Sequence, residues 1–132
     1  MRRFFHLTSL VLAAAVVATA SSAAWALSLS DKANLQAAMQ RHIDQRSVNG
    51  AYLHLDPKTG EVEALHPVTA HPMILRMGKN YVLCFDFKDE AGKKVDVDFY
   101  MARKAGTYVV FHQAVNGHDL LGRLMNAGKV TF

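Results

Sequence analysis

Two neighbouring runs of alternating apolar and polar residues limit most strongly what this chain can fold into. They span residues 81–88 and 95–102, and a short segment containing Gly92 separates them. Alternation with a period of two places apolar side chains on one face of a β-strand and polar side chains on the other. The two runs therefore predict an antiparallel hairpin that supplies most of the hydrophobic core.

Three further strands are predicted from shorter alternating runs: residues 51–56, 61–66 and 107–115. The first two flank a turn in which Pro57 presets φ and Gly60 takes a positive φ. The third follows a tight turn at residues 104–106. Prolines punctuate residues 67–78, so this segment is expected to be a loop with at most a short edge strand at 73–76.

A helix is predicted at each end of this strand region. Ser28 and Asp31 form a capping box that starts the first helix, and Asn49-Gly50 ends it. This helix carries an apolar stripe that another element must cover: Leu35, Met39 and Ile43. A short second helix is expected at residues 117–127, stopped by Gly128.

These elements predict an α+β fold, in which an N-terminal amphipathic helix packs on an antiparallel meander of four or five strands and a short C-terminal helix follows. The first helix should cross the sheet face that bears Phe85, Phe99 and Phe111, since each apolar face needs a partner. This order of elements resembles the cystatin-like and nuclear-transport-factor-like folds, which implies a curved sheet holding a helix.

The N-terminal segment has the three parts of a secretory signal peptide. Arg2 and Arg3 precede an apolar stretch at residues 7–20, and Ala24 and Ala26 place small side chains where signal peptidase reads them. Cleavage after Ala26 is predicted, with signal peptidase as the partner during export. A transmembrane anchor is the competing interpretation, but the apolar stretch is shorter than the roughly 20 residues that a span needs.

Removal of residues 1–26 leaves residues 27–132, and these 106 residues fit a single α+β domain. We expect the processed protein in the periplasm or the medium, with no stable membrane anchor. Cys84 is the single cysteine in the chain, so packing rather than an internal disulfide must stabilise the domain.

The charge of the chain argues against nucleic acid as a partner. The formal net charge is +4, and without the two arginines of the signal peptide 13 basic residues face 11 acidic ones. Nucleic-acid binding requires a concentrated basic surface that displaces counterions. A small ligand or a protein partner remains compatible with this composition.

A candidate site follows from the register of the predicted strands. If the apolar faces coincide, Asp86 lies opposite Asp96, Cys84 lies opposite Asp98, and Asp98 lies opposite His112 on the next strand. The face away from the first helix would then carry one cluster: Cys84, Asp86, Asp96, Asp98 and His112.

Like charges that face each other on a sheet are unfavourable, so this cluster needs solvent, a basic neighbour, a shared proton or a bound cation. A divalent metal could use the carboxylates and the imidazole as ligands. The alternative interpretation is the solvated face of an antiparallel sheet. Catalysis is the weaker hypothesis, because the spacing identifies no set of nucleophile, base and orienting group.

Three histidines form a second candidate metal cluster: His54, His66 and His71. The dipeptide His-Pro recurs at 66–67 and 71–72, and imidazoles suit transition metals in an exported protein. Their spacing matches no defined metal motif, and turn packing around the prolines is the alternative.

Residues 113–117 match the Q-x-V-x-G pattern of cystatin-type protease inhibitors. In that family the motif bends a hairpin after the first helix, whereas here it ends the last strand, so we interpret the match as coincidental. The blocks 78–87 and 97–100, with the His-Pro repeats, resemble small exported bacterial proteins of an uncharacterised family, a resemblance that implies no activity. The function classes are a non-catalytic binding module, a protein-interaction or inhibitory domain, and an enzyme, in that order.

Overall fold

A six-stranded antiparallel sheet forms the centre of the computed structural model, which describes residues 26–132. The elements in chain order are α1 (Leu29–Arg46), β1 (Ser47–Val48), β2 (Ala51–Leu55), β3 (Val62–Met77), β4 (Asn80–Lys88), β5 (Lys94–Lys104), β6 (Thr107–Val115) and α2 (His118–Asn126). The strands lie in chain order across the sheet. The α+β class and the antiparallel meander are confirmed, with six strands instead of four or five.

The predicted signal peptide, including Ala24 at its cleavage site, lies outside the described residues except for Ala26. Between residues 26 and 132, no helix is both long and apolar enough to cross a membrane.

The predicted capping box starts α1. The Ser28 hydroxyl accepts a 3.0 Å hydrogen bond from the Asp31 backbone N–H and donates one of 2.7 Å to the Asp31 carboxylate. That carboxylate also accepts hydrogen bonds from Arg103 and from the Tyr108 hydroxyl. The bonds from Ser28 and Tyr108, with the Arg103 interaction, hold the pKa of Asp31 below its ordinary value. The start of α1 is thereby attached to β5 and β6.

The segment 67–78, predicted to be a loop, instead belongs almost entirely to the long strand β3. This strand pairs first with β2 and then with β4, and its register shifts between Pro67 and Thr69 and again between Ala70 and Ile74. Pro72 falls within the second irregular stretch, where its missing N–H removes no ladder hydrogen bond. The strand therefore continues through both prolines, with an irregular register next to each.

The hairpin of β4 and β5 has the predicted register. Phe85 pairs with Val97, and Asp86 pairs with Asp96. The Asp89 N–H donates to the Lys93 carbonyl at 2.9 Å across the turn that contains Gly92. The acidic residues of the two strands consequently share one face.

The prediction for the β5–β6 turn is wrong by one residue. Lys104 pairs with Thr107, so the turn contains only Ala105 and Gly106, with φ of 47° and 79°. Two consecutive residues with positive φ are typical of a two-residue type I′ hairpin, whose twist matches that of the strands.

A bulge then shifts the remainder of β6. Tyr100 pairs with His112 while Met101 pairs with Val110, which leaves Phe111 as the extra residue. The predicted pair of Asp98 with His112 is therefore wrong, since Asp98 pairs with Ala114.

Hydrophobic cores lie on both faces of the sheet. On one face α1 covers a core that includes Phe85 and Phe99, as predicted, but Phe111 is 52% exposed. On the reverse face α2 covers a smaller core built around Val82, Tyr100 and other apolar residues. The reverse face is thus partly buried beneath a helix, which excludes its description as a fully solvated surface.

The two phenylalanines of β5 and β6 provide a test of this register. We expect Phe99→Ala to lower the free energy of unfolding by about 3–5 kcal/mol, because it leaves a cavity in the core. Phe111→Ala should cost less than about 1 kcal/mol, because its ring lies mostly in solvent. Urea unfolding of both variants measures the difference, and equal losses would contradict the bulge.

Candidate functional site

The acidic cluster lies on the reverse face of the sheet, near the start of α2. The side chains of Asp86 and Asp96 are only 16% and 19% exposed, and Asp98 is fully buried. Cys84 faces Asp98 on the neighbouring strand, as predicted. These four predicted site residues are therefore together in the fold.

His71 brings an imidazole to this cluster from β3. Its Nε2 atom lies 2.7 Å from Asp86 Oδ1. His71 was predicted to belong with His54 and His66, and its approach to Asp86 depends on the strand that replaces the expected loop. The His-Pro repeat was the only sequence signal pointing to this residue.

Two further residues that the sequence analysis missed complete the surroundings of the carboxylates. His118, the first residue of α2, places Nε2 at 2.8 Å from Asp96 Oδ2. The Lys94 ammonium lies 3.5 Å from Asp86 Oδ2 and 3.3 Å from Asp96 Oδ1. The repulsion between the facing carboxylates is thus offset by a lysine and by two imidazoles.

The electrostatics of Asp96 follow from these contacts. Burial acts to raise its pKa, but interactions with the Asp86, Lys94 and His118 side chains outweigh burial and hold the pKa below its ordinary value. The same contacts raise the pKa of Lys94, chiefly through its bond to Asp96 and the charges of both carboxylates. The Asp96 carboxylate is therefore ionised at neutral pH and lies against the charged Lys94 ammonium.

Three donor atoms of the cluster have the spacing of a metal site. The imidazole of His71 and the carboxylates of Asp86 and Asp96 each offer one atom, and these atoms lie within 4.8 Å of one another. Imidazole nitrogen and carboxylate oxygen are both ligands of zinc and other divalent transition metals. The residues come from β3, β4 and β5, three neighbouring strands.

Buried polar groups of Asp98, Tyr100 and Cys84 adjoin this cluster beneath α2. Within the described part of the chain, neither Asp98 carboxylate oxygen nor the Tyr100 hydroxyl has a hydrogen-bond partner. Burial, reinforced by Asp98, raises the pKa of the Cys84 thiol. Burial and the Asp98 charge also raise the pKa of Tyr100 to about 12. Cys84 is thus held as a thiol and is a poor nucleophile.

Gly117 lets α2 approach Asp98 closely. A Cβ atom at Gly117 would lie 2.5 Å from Ala114 Cβ and 3.2 Å from Asp98 Oδ2. The buried carboxylate therefore sits at the N-terminus of α2, where the helix dipole favours negative charge.

The other predicted site residues lie elsewhere. His112 is exposed, with its ring centroid 5.4 Å from that of Tyr100, and it does not face Asp98. His66 Nε2 lies 3.1 Å from Glu90 Oε1, and His54 pairs with Glu63 at the β2–β3 ladder. Of the three histidines in the predicted cluster, only His71 therefore contacts the acidic cluster on the reverse face.

The Q-x-V-x-G segment is built into the fold. The Gln113 side-chain oxygen accepts a hydrogen bond from the Tyr52 hydroxyl and lies 3.2 Å from His42 Nε2. Gly117 at the end of the segment is the N-cap of α2. These residues join β6 to α2 and do not form the tip of a hairpin.

The chain matches no known family model, and comparisons with curated proteins and with solved structures find no significant relative.

Two buried tyrosines allow the polar contacts to be tested against each other. Tyr52→Phe should lower the free energy of unfolding by about 1 kcal/mol, since it removes the hydrogen bond to Gln113. Tyr100→Phe should leave stability unchanged or raise it, because it removes a buried hydroxyl that has no protein partner. Urea titration measures both, and a larger loss for Tyr100→Phe would contradict the described environment.

Proposed function

We propose that this domain is a non-catalytic module of an exported protein and that it binds a divalent transition-metal ion. His71, Asp86 and Asp96 are the proposed ligands. The observation that carries the proposal is the convergence of their three donor atoms within 4.8 Å of one another. Export rests on the N-terminal signal pattern, and the proposed location is the periplasm or the medium.

The ligand set favours a metal such as zinc over calcium or magnesium. Calcium takes six to eight oxygen ligands, and magnesium keeps several waters in an octahedral shell. A single imidazole with two carboxylates supplies the mixed nitrogen and oxygen donors that zinc uses. The carboxylates are largely buried, so their charges are less screened than those of an open surface.

Lys94 supplies the positive charge that a bound metal ion would otherwise supply to the two carboxylates. Its ammonium contacts both carboxylates, but its side chain is 60% exposed and sits on a flexible stem. It can therefore move into solvent when a metal binds. In the metal-free protein it keeps the two acids together.

His118 supports the proposed site from outside the three ligands. Its bond to Asp96 Oδ2 orients that carboxylate and leaves Oδ1 facing Lys94. Outer partners of this kind fix ligand orientation in metal sites and commonly contribute tenfold or more to affinity.

Zinc titration by isothermal calorimetry tests the proposal. We expect one zinc ion per chain, and at least tenfold weaker binding in His71→Ala, which loses the imidazole, and in Asp96→Asn, which loses the negative charge of a ligand. Lys94→Gln should bind zinc more tightly than the parent protein, because it removes the competing ammonium while retaining a side chain of similar length.

His66→Ala is the matched control. This histidine lies on the same strand as His71 and also contacts a carboxylate, but its partner is the exposed Glu90. Its removal should leave zinc affinity unchanged. Equal weakening by His66→Ala and His71→Ala, or no zinc binding by the parent protein, would refute the proposed site. Circular dichroism of each variant verifies that the fold is retained.

A further inference from the structure

An apolar cleft of about 210 Å³ lies next to the proposed metal site. Its apolar walls come from the sheet, from α2 and from Phe132: Met73, Leu75, Cys84, Leu121, Met125 and Phe132. His71 and His118 line the same cleft. These two histidines contact Asp86 and Asp96, so they separate the cleft from the carboxylates by the width of one side chain.

We propose that this cleft, together with the metal, binds a short-chain monocarboxylate whose apolar tail enters the cleft and whose carboxylate coordinates the ion. The inference rests on the proposed metal site and adds the class of organic ligand to it.

The number of protein ligands supports a carboxylate at the metal. Zinc is usually four-coordinate, and a site with three protein ligands retains one position for an exogenous group. His71, Asp86 and Asp96 would fill three positions. A carboxylate that arrives through the cleft would take the fourth position.

Electrostatics make binding of the monocarboxylate depend on the metal. Without a metal, an anionic head group would meet two carboxylates, with Lys94 already held between them. With a divalent ion in place, the charges of the two carboxylates are neutralised, and the ion offers an open coordination position to an anionic head group. An apolar molecule without the anionic head would lack this coordination.

The walls determine the length of the tail. Leu75 and Leu121 are almost fully buried and hold the cleft in shape, whereas Met73 is 54% exposed at its rim. Methionine side chains adapt to apolar ligands through their flexible thioethers. A volume of about 210 Å³ accommodates roughly seven atoms of water size. The four-carbon tail of pentanoate therefore fits within the cleft while its carboxylate stays at the ion.

Calorimetric titration of pentanoate and acetate into the zinc-loaded and metal-free protein tests the inference. We expect pentanoate to bind the zinc-loaded protein at least tenfold more tightly than acetate does, because only its tail fills the cleft. We also expect at least tenfold weaker binding of pentanoate to the metal-free protein. Equal affinities for the two acids, or equal binding with and without zinc, would overturn the carboxylate site.

Variants that fill the cleft separate this inference from the metal site itself. Met73→Trp places a bulky ring at the exposed rim, so it should fold normally, keep its zinc affinity and weaken pentanoate at least tenfold. Val68→Trp adds the same ring to an exposed position on the same strand, outside the cleft lining, and should change neither affinity.

Met125→Trp fills the cleft from α2 and provides a second test with the same expected result. Retained zinc binding with undiminished pentanoate affinity in both cleft variants would refute the carboxylate site alone. If the parent protein does not bind zinc, both proposals are overturned.

Discussion

The pairing of β4 with β5 determines what each face of the sheet can become. Phe85 opposite Val97 forms part of the core beneath α1, and the intervening pair, Asp86 and Asp96, must then point to the reverse side. A slip of one residue would exchange the two faces and bury the acids beneath α1. Hydrophobic burial on one side therefore brings two carboxylates together on the other, and the rest of the site compensates for that proximity.

The reverse face of the sheet has two parts, one polar and one apolar. Toward its acidic end, Lys94, His71 and His118 surround the carboxylates. Toward its other end, α2 covers Val82 and Tyr100 with an apolar core. His118 belongs to α2 while Asp96 belongs to β5, so the helix that closes the second core also contributes to the polar cluster.

Sequence patterns predicted the parts of the fold that depend on residues close together in the chain. Alternation fixed the β4–β5 register, and the Ser28 capping box located the start of α1. The β5–β6 register could not be derived in this way, because Phe111 is apolar and alternation gives no sign that it is the extra residue of a bulge. His71 was separated from the acids because the prolines predicted a loop, and His118 was missed because only the packing of α2 brings it to Asp96.

Gly117 is required because the start of α2 lies very close to β6, and not because of a functional group. Its φ of −80° is open to any residue, so the requirement for glycine comes from the contact with Ala114 and not from backbone conformation. Any larger residue would push α2 away from the sheet and disturb both the second core and the His118 contact. Mutational intolerance at this position would therefore report on steric fit between helix and strand, although the residue itself supplies no functional group.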